Sequence, residues 1–256
     1  MLKLDLKSIP LIPGRLLDIV MPPICQMCRT VTSSTSGGEI CPPCLEDIEP
    51  AAKVSSCNIC AAPLVQVSEA TGSRPCGTCI VTPPPFERAM PSLAYGKLLR
   101  KAIHRFKYNG ETGLAKLLGA LMITCASSSI KDLSESTLDN IDVVIPIPLH
   151  RNRLRERGFN QSLLLAKVAA RAVSAPLDYK SLRRVRDTTP QIELRGKERA
   201  ENVRGAFEAE SRVLLKGKTI LLVDDVYTTG STIRECARIL KKEGARVVAL
   251  TLARAL

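Results

Sequence analysis

Two adjacent acids followed by a run of hydroxyl side chains form the stretch of this sequence best suited to chemistry, "ILLVDDVYTTGST" at residues 220–232. Asp224 and Asp225 come directly after four apolar residues, a pattern that predicts a buried strand with both acids at its carboxyl end. Carboxylates in that position accept hydrogen bonds from hydroxyl groups or bind a cation. The acid pair therefore predicts a ligand site at the edge of an α/β sheet.

The loop after the acids predicts an anion site. It supplies hydroxyls, backbone amides and one glycine that permits close approach of the backbone, in the order Thr228, Thr229, Gly230, Ser231 and Thr232. It leads into a predicted helix, whose N-terminus favours negative charge. Because carboxylates repel a bare phosphate, the ligand must present hydroxyls or a cation to the acids and a phosphate to the loop. A ribose 5-phosphate meets both demands, whereas a solvated turn or a phosphoacceptor receiver domain remains the alternative.

Eight of the ten cysteines form four CxxC pairs. These cysteines are Cys25, Cys28, Cys41, Cys44, Cys57, Cys60, Cys76 and Cys79. Each CxxC turn directs two sulfurs at one tetrahedral centre, so four pairs predict two structural Zn²⁺ sites. Sequential and cross-braced pairing of the turns both remain open. The zincs hold together a segment with few apolar residues, either as a purely structural unit or with an added docking or nucleic-acid role.

Two polar segments are further candidates for the site. In "PIPLHRNRLRERGFNQ" (146–161) a predicted strand opens into a basic loop with arginine at every second position from Arg151 to Arg157. Cations at the end of a strand can neutralise a pyrophosphate, although a solvated basic loop remains the alternative. The segment 183–207 is long and polar, and it is either a mobile lid that excludes water, a basic arm for nucleic-acid phosphates or a solvated loop.

The remaining pattern predicts the elements that must position these residues. Strands and helices alternate after the proline-rich stretch "VTPPPFE" at 81–87, which predicts a domain boundary and then a parallel α/β sheet. We expect a lead-in at residues 1–20 with a short helix over 13–20, a double zinc ribbon at 21–82 and an α/β domain at 87–256. The first residues lack the pattern of a signal peptide, and no run is long enough to span a membrane. The sequence thus predicts a cytoplasmic protein without membrane insertion.

Charge divides unevenly between these parts. Residues 1–86 hold 6 basic and 7 acidic residues, whereas residues 87–256 hold 31 and 18. A polyanion would therefore meet the second part first. Tryptophan is absent and the chain has only 4 Tyr and 4 Phe, so stacking surfaces for single-stranded DNA are few.

Three motifs together resemble a known family. "LLVDDVYTTGST" resembles the phosphoribosyl-pyrophosphate (PRPP) binding signature of type I phosphoribosyltransferases. "IPIPLHRNRLRERGFNQ" (145–161) and "PQIELRGKERAENVRGAF" (190–207) are similar to segments of the ComF family, which is associated with competence and DNA uptake and has a double zinc ribbon in front. The resemblance covers about residues 20–256. It implies a type I phosphoribosyltransferase fold preceded by the zinc ribbon.

The resemblance also implies ligands and roles. It implies PRPP with Mg²⁺ at the acid pair and at residues 228–232, a pyrophosphate loop containing His150, Arg151 and Arg153, and a flexible loop containing Gln191, Arg199 and Asn202. In hypoxanthine-type relatives the position of Thr228 carries an aspartate that serves the purine base. Threonine there argues against that substrate and leaves the acceptor open.

Two functions are therefore expected from the sequence. One is a Mg²⁺-dependent phosphoribosyltransferase with an unknown acceptor. The other is a non-catalytic DNA-handling protein that uses the basic domain and the zinc ribbons, with single-stranded DNA or DNA-uptake proteins as partners.

Overall fold

The computed structural model describes residues 23–32, 40–51, 56–64, 74–131, 141–188, 196–210 and 215–255. Within them the elements are, in chain order, α1 (Pro42–Glu46), α2 (Gly77–Val81), β1 (Arg88–Ala94), α3 (Lys97–Tyr108), α4 (Leu114–Lys131), β2 (Val143–Pro146), α5 (Arg151–Arg157), α6 (Gln161–Ala172), β3 (Leu182–Arg184), α7 (Gly196–Val203), β4 (Phe207–Ala209), β5 (Thr219–Tyr227), α8 (Ser231–Lys242) and β6 (Arg246–Arg254).

A four-stranded parallel sheet in the order β1-β6-β5-β2 forms the centre of the fold. Strand β5 lies between β6 and β2, so its backbone is paired on both sides. The carboxyl ends of parallel strands meet at one edge of a sheet, which is where open α/β sheets bind ligands. The predicted parallel α/β fold is confirmed.

Both faces of this sheet are covered by helices. On β5, Leu221 and Val223 join a core cluster with α3, α4 and α6, whereas Ile220 and Leu222 join a second cluster with α8. Successive side chains of a strand point to opposite faces, so a strand buried on both faces reads as an unbroken apolar run. This burial explains why "TILLV" shows no polar alternation.

The predicted central strands and helices are confirmed, with four differences. Strand β5 continues to Tyr227, so Asp224 and Asp225 lie in its last residues rather than after its end. The expected basic loop after β2 is the helix α5, and part of the expected lid is the helix α7. Strands β3 and β4 form a separate antiparallel pair that brackets the lid segment. The helix expected over 13–20 lies outside the described residues.

The two cysteines outside the CxxC pairs are core residues. Cys125 on α4 is 8% exposed and Cys236 on α8 is fully buried. His104 on α3 is exposed, and its ring lies 4.8 Å from the Tyr108 ring, centroid to centroid.

Candidate functional site

Asp224 is held at the carboxyl edge of the sheet by two hydrogen bonds. Its Oδ1 accepts one from Ser162 Oγ at 2.8 Å and one from the Asp225 amide at 2.9 Å. Ser162 lies in the first turn of α6, where Asn160 caps the helix by accepting from the Ser162 amide at 3.0 Å. The cap and the serine together fix the direction of the first carboxylate.

Asp225 faces a lysine from α3. Lys107 Nζ lies 2.8 Å from Asp225 Oδ2, and Asp225 is 4% exposed. The contact is an ion pair whose angle is not that of an aligned hydrogen bond. The charge of the second carboxylate is thus balanced by Lys107.

This arrangement shifts the pKa of the first acid upwards. Desolvation in the crevice and the neighbouring Asp225 carboxylate raise the pKa of Asp224 to about 7, against the opposing effects of Lys107 and Ser162. Burial alone would lower the pKa of Lys107, but the Asp225 and Asp224 carboxylates outweigh it and raise that pKa. A proton on Asp224 and a charged Lys107 therefore offset the repulsion between two adjacent acids.

The loop from Thr228 to Thr232 lies beside the acids and begins α8. Gly230 has φ of 75°, in the left-handed region, and is the N-cap residue of the helix. Thr229 Oγ1 and Ser231 Oγ are 2.7 Å apart, and the Ser231 amide donates to Thr229 Oγ1 at 3.4 Å. The loop thus gathers hydroxyls at a helix N-terminus, which suits a phosphate.

The basic segment after β2 has a different form from the expected one. His150 is the N-cap of α5, and its Nδ1 accepts from the Asn152 amide at 3.4 Å. The same Nδ1 lies 3.4 Å from Asp187 Oδ2, which also accepts from Asn152 Nδ2 at 2.8 Å. Nδ1 cannot accept from the amide and donate to the carboxylate at once, so these two hydrogen bonds exclude each other.

The arginines of α5 do not share one face, because successive helix residues turn by about 100°. Arg151 and Arg155 are exposed, whereas Arg153 Nη1 donates to Glu156 at 3.0 Å. Arg157 donates to Gln161 Oε1 at 2.6 Å, and its guanidinium lies 5.1 Å from the Tyr108 ring centroid. The helix follows β2, the neighbour of β5, so its start lies at the same edge of the sheet as the acids.

The three residues expected in the flexible loop are not all described. Gln191 lies outside the described residues. Arg199 and Asn202 lie on α7, where the Asn202 carbonyl accepts from Arg186 Nη2 at 3.0 Å. Their contact with a ligand stays a prediction.

The eight paired cysteines form two groups of four. Cys25, Cys28, Cys41 and Cys44 form the first group, and Cys57, Cys60, Cys76 and Cys79 form the second; within each group the sulfurs lie within 4.8 Å of one another. The pairing is therefore sequential, which the spacing left open.

Four thiols around one point are the donor set of structural Zn²⁺, so both groups fit this metal. In both groups the residue after the first CxxC turn, Arg29 or Ala61, has a positive φ. A hydrogen bond with the Thr30 hydroxyl lowers the pKa of Cys28 to about 6, whereas burial raises the pKa of Cys44 in the same group.

Two residues of the acid site escaped the sequence analysis. Lys107 lies in "KLLRKAIHRFKY", a helix with several basic residues, and nothing in its pattern singles out one of them. Ser162 was visible only as part of a helical pattern.

In the described part of the chain, none of the helices combines the length and apolar character needed to span a membrane.

Comparison with known proteins gives two family matches. The double zinc ribbon domain model matches residues 16–80, and the phosphoribosyl transferase domain model matches residues 159–254. Among solved structures, an adenine phosphoribosyltransferase is 14% identical and covers 58% of this chain and 74% of its own, with a TM-score of 0.37.

Curated relatives match most of the chain. DNA utilization protein YhgH of Salmonella typhimurium is 32% identical over 230 residues, 90% of this chain and 96% of that protein. Competence protein F of Haemophilus influenzae is 30% identical, and the match covers 68% of this chain and 75% of that protein. Competence protein ComFC of Bacillus subtilis is 31% identical, and the match covers 62% of this chain and 61% of that protein. The chain therefore belongs to the ComF family, in which a double zinc ribbon precedes a phosphoribosyltransferase domain with a parallel α/β sheet.

Proposed function

We propose that this protein binds PRPP or a closely related ribose 5-phosphate together with Mg²⁺, and that it does so in the cytoplasm in competence or DNA utilisation. One observation carries the proposal: the acid pair and the hydroxyl-rich N-terminus of α8 adjoin on a single strand and loop. The relatives' names supply the biological setting. Catalysis toward an unknown acceptor is part of the same hypothesis.

The residues assign complementary roles to the two ends of the ligand. The amides and hydroxyls of residues 228–232 receive the 5-phosphate, and Asp224 and Asp225 accept hydrogen bonds from the ribose hydroxyls. Lys107 Nζ lies 2.8 Å from Asp225 Oδ2 and supplies the opposite charge at this carboxylate. Arg151 lies at the start of α5, where it can approach a pyrophosphate at the same edge.

Carboxylate oxygens fit Mg²⁺, which proteins usually bind through one or two carboxylates and the phosphates of a substrate. Asp225 Oδ2 already faces the Lys107 ammonium at 2.8 Å, so it is the atom of the acid pair at which a cation would take the place of an existing positive charge. The metal would supply charge neutralisation for a leaving pyrophosphate. The protein itself would orient the ribose and exclude water from a cationic sugar transition state.

Thermal unfolding with and without ligand tests this proposal. At about one hundred times the dissociation constant, a ligand adds roughly 2.7 kcal/mol to the free energy of unfolding. We expect Mg²⁺ with PRPP or ribose 5-phosphate to raise the melting temperature of the wild type but not of the Asp224→Asn, Asp225→Asn double variant. Glu208→Gln, an exposed change on β4, should respond like the wild type. No shift for the wild type at saturating ligand would refute the proposal.

A second candidate function is binding of single-stranded DNA by the basic surface. Arg151 and Arg155 are exposed on α5 at the ligand edge, and residues 87–256 carry the excess positive charge. Phosphate contacts release counterions, so log K falls by about 0.7 per contact for each unit of log[salt]. Arg151→Ala with Arg155→Ala should reduce this slope, whereas Arg171→Ala, exposed at the other end of α6, should not. An unchanged slope in the double variant would exclude this surface.

A further inference from the structure

The second four-cysteine group lies directly against the sheet that carries the ligand site. The Ala89 amide of β1 donates to the Ile59 carbonyl at 2.7 Å, inside the Cys57–Cys60 turn. Arg254, the last residue of β6, donates from Nη1 to the Cys60 carbonyl at 2.6 Å. The turn that holds two zinc ligands is thus fixed to two neighbouring strands of the sheet.

Arg254 also contacts the residue that precedes the phosphate loop. It is 9% exposed, and its guanidinium carbon lies 4.8 Å from the ring centroid of Tyr227. The two residues are register partners at the carboxyl ends of β6 and β5. The Arg254 Nε finds no hydrogen-bond partner within the described structure, so the Cys60 carbonyl and the tyrosine ring are what orient the guanidinium.

Tyr227 in turn supports the phosphate loop. It is 3% exposed, and a Cβ added at Gly230 would overlap its hydroxyl and its ring carbon Cζ. Gly230 is therefore required both by its positive φ and by the position of the tyrosine ring. Burial raises the pKa of the Tyr227 hydroxyl to about 12, so the ring stays neutral beneath the loop.

From this chain of contacts we propose that Arg254 is a positioning residue through which the second zinc ribbon holds the phosphate loop in its ligand-binding form. The proposal rests on the proposed ribose-phosphate function for its biological meaning, but the contact chain from Cys60 to Gly230 is independent of the ligand. Zinc fixes the Cys57–Cys60 turn, the turn fixes the guanidinium, and the guanidinium fixes the ring behind Gly230. Loss of zinc from this group therefore loosens the anion site across the domain boundary.

The physical reason is the cost of a buried cation without a partner. If the second group of cysteines loses its zinc, the Cys60 carbonyl can move away from Arg254. The Arg254 guanidinium then lacks this hydrogen bond, and a buried charge without a partner must move toward water. Movement of Arg254 off the Tyr227 ring removes the support on one side of the glycine. Couplings between sites of this kind change affinity by about 5- to 150-fold.

The test replaces the arginine and keeps the metal. Arg254→Met retains the aliphatic stem and removes the guanidinium, and Arg246→Met at the opposite end of β6 is the control, since Arg246 donates to Thr219 Oγ1 at 2.7 Å, at the other edge of the sheet. We expect both variants to retain two zincs per chain. We expect Arg254→Met alone to weaken ribose 5-phosphate binding by about tenfold and to shift the Gly230 amide resonance in a ¹⁵N-glycine NMR spectrum.

The NMR readout separates the two proposals. If the wild type binds no ribose 5-phosphate, the proposed function fails, and the Gly230 resonance still decides whether Arg254 positions the loop. An Arg254→Met spectrum and affinity equal to those of Arg246→Met would overturn the inference. If Arg254→Met loses zinc or fails to fold, Arg254→Lys decides instead, because it keeps a cation beside the Tyr227 ring but removes the Nη1 that donates to the Cys60 carbonyl. An unmoved Gly230 resonance in that variant would likewise overturn it.

Linkage supplies a reciprocal test on the unmodified protein. If the second zinc stabilises the loop, then a ligand in the loop must stabilise the second zinc by the same factor. In an equilibrium competition with a chromogenic chelator, ribose 5-phosphate should raise the affinity for one of the two zincs by about tenfold, and Arg254→Met should abolish this gain. Equal zinc affinities with and without bound ligand would contradict the coupling.

Discussion

The two zinc ribbons repeat the same local structure but meet the rest of the protein in different ways. In the first, Cys25, Cys41, Cys44 and Met27 belong to the large core cluster that includes α3, α4 and α6. In the second, the buried cysteines form a small cluster of their own, with Ile59 as the side chain that reaches the core of the α/β domain. One ribbon is part of the core, and the other rests on its surface.

Arginines of the α/β domain nevertheless contact both ribbons. Arg105 of α3 donates to the Gln26 carbonyl at 2.5 Å and to the Met27 carbonyl at 2.9 Å, inside the first CxxC turn. Arg254 contacts the Cys60 carbonyl at the end of the corresponding turn in the second ribbon. Two residues beyond Arg105 on α3, Lys107 reaches Asp225. The first ribbon thus adjoins the acid side of the site, and the second adjoins the phosphate side.

This difference separates stability from ligand binding. The first ribbon contributes buried apolar surface, so its loss opens the main core. The second contributes little to that core, but it orients Arg254 and Tyr227 behind the loop. A zinc site can therefore stabilise a whole domain or a single loop. Which of the two it stabilises depends on what the side chains and backbone carbonyls of its CxxC turns contact.

The largest effect is expected from emptying the first ribbon. Cys41→Ser with Cys44→Ser should reduce zinc to one per chain and cost more than about 5 kcal/mol of unfolding free energy, enough to unfold a marginally stable domain. Circular dichroism and metal analysis measure both quantities. Cys76→Ser with Cys79→Ser is the matched pair: it should also leave one zinc but keep the α/β domain folded. Equal losses of stability in the two pairs would remove the distinction between the ribbons.

A smaller effect is expected from the acid side of the site. Lys107→Met leaves the Asp225 carboxylate 4% exposed beside Asp224 and without its cation, which should cost about 3 kcal/mol in urea unfolding. Lys101→Met on the exposed face of the same helix should cost less than about 0.5 kcal/mol. Similar stabilities for the two variants would mean that the ion pair contributes nothing to the fold.

The smallest expected effect is a dependence of ligand affinity on pH. Because the pKa of Asp224 is raised to about 7, hydroxyl donors or Mg²⁺ must displace a proton from it at lower pH. Affinity for Mg²⁺ with ribose 5-phosphate should therefore rise about tenfold from pH 6 to pH 8. Asp224→Asn should retain only the titration of the ligand's own phosphate. A wild-type profile equal to that of the variant would show that Asp224 binds without losing a proton.

The same shift determines how the empty protein responds to pH. The folded state holds a proton on Asp224 that the unfolded state releases near its ordinary pKa of 3.8. This contribution to stability is fully present below pH 3.8 and is lost as the pH rises through about 7. In the Asp224→Asn variant, unfolding measured between pH 5 and 8 should lack this decline.

The local sequence pattern was enough to predict the strand, the loop and the CxxC turns, because the form of each depends on residues that are close together in the chain. A buried run before Asp224 and Asp225 implied a central strand, and Gly230 within a hydroxyl-rich stretch implied a loop at a helix N-terminus. CxxC spacing implied metal-binding turns because each turn is complete within four residues. The alternation of arginines after His150 was misleading, since a spacing of two describes a strand or a loop, and the segment forms a helix.

Only the tertiary structure decided which residues complete these parts. Ser162 reaches Asp224 across 62 positions, and Arg254 reaches Cys60 across 194. Neither contact leaves a periodic trace in the sequence, because a single serine or arginine on a helix or strand is compatible with many partners. Sequential pairing of the cysteines and the partner of Lys107 likewise depended on the packing of elements. The sequence by itself determined the acid pair, the hydroxyl-rich loop and the paired cysteines, because each is complete within a few residues, and the fold decided that Lys107 and Arg254 contact them.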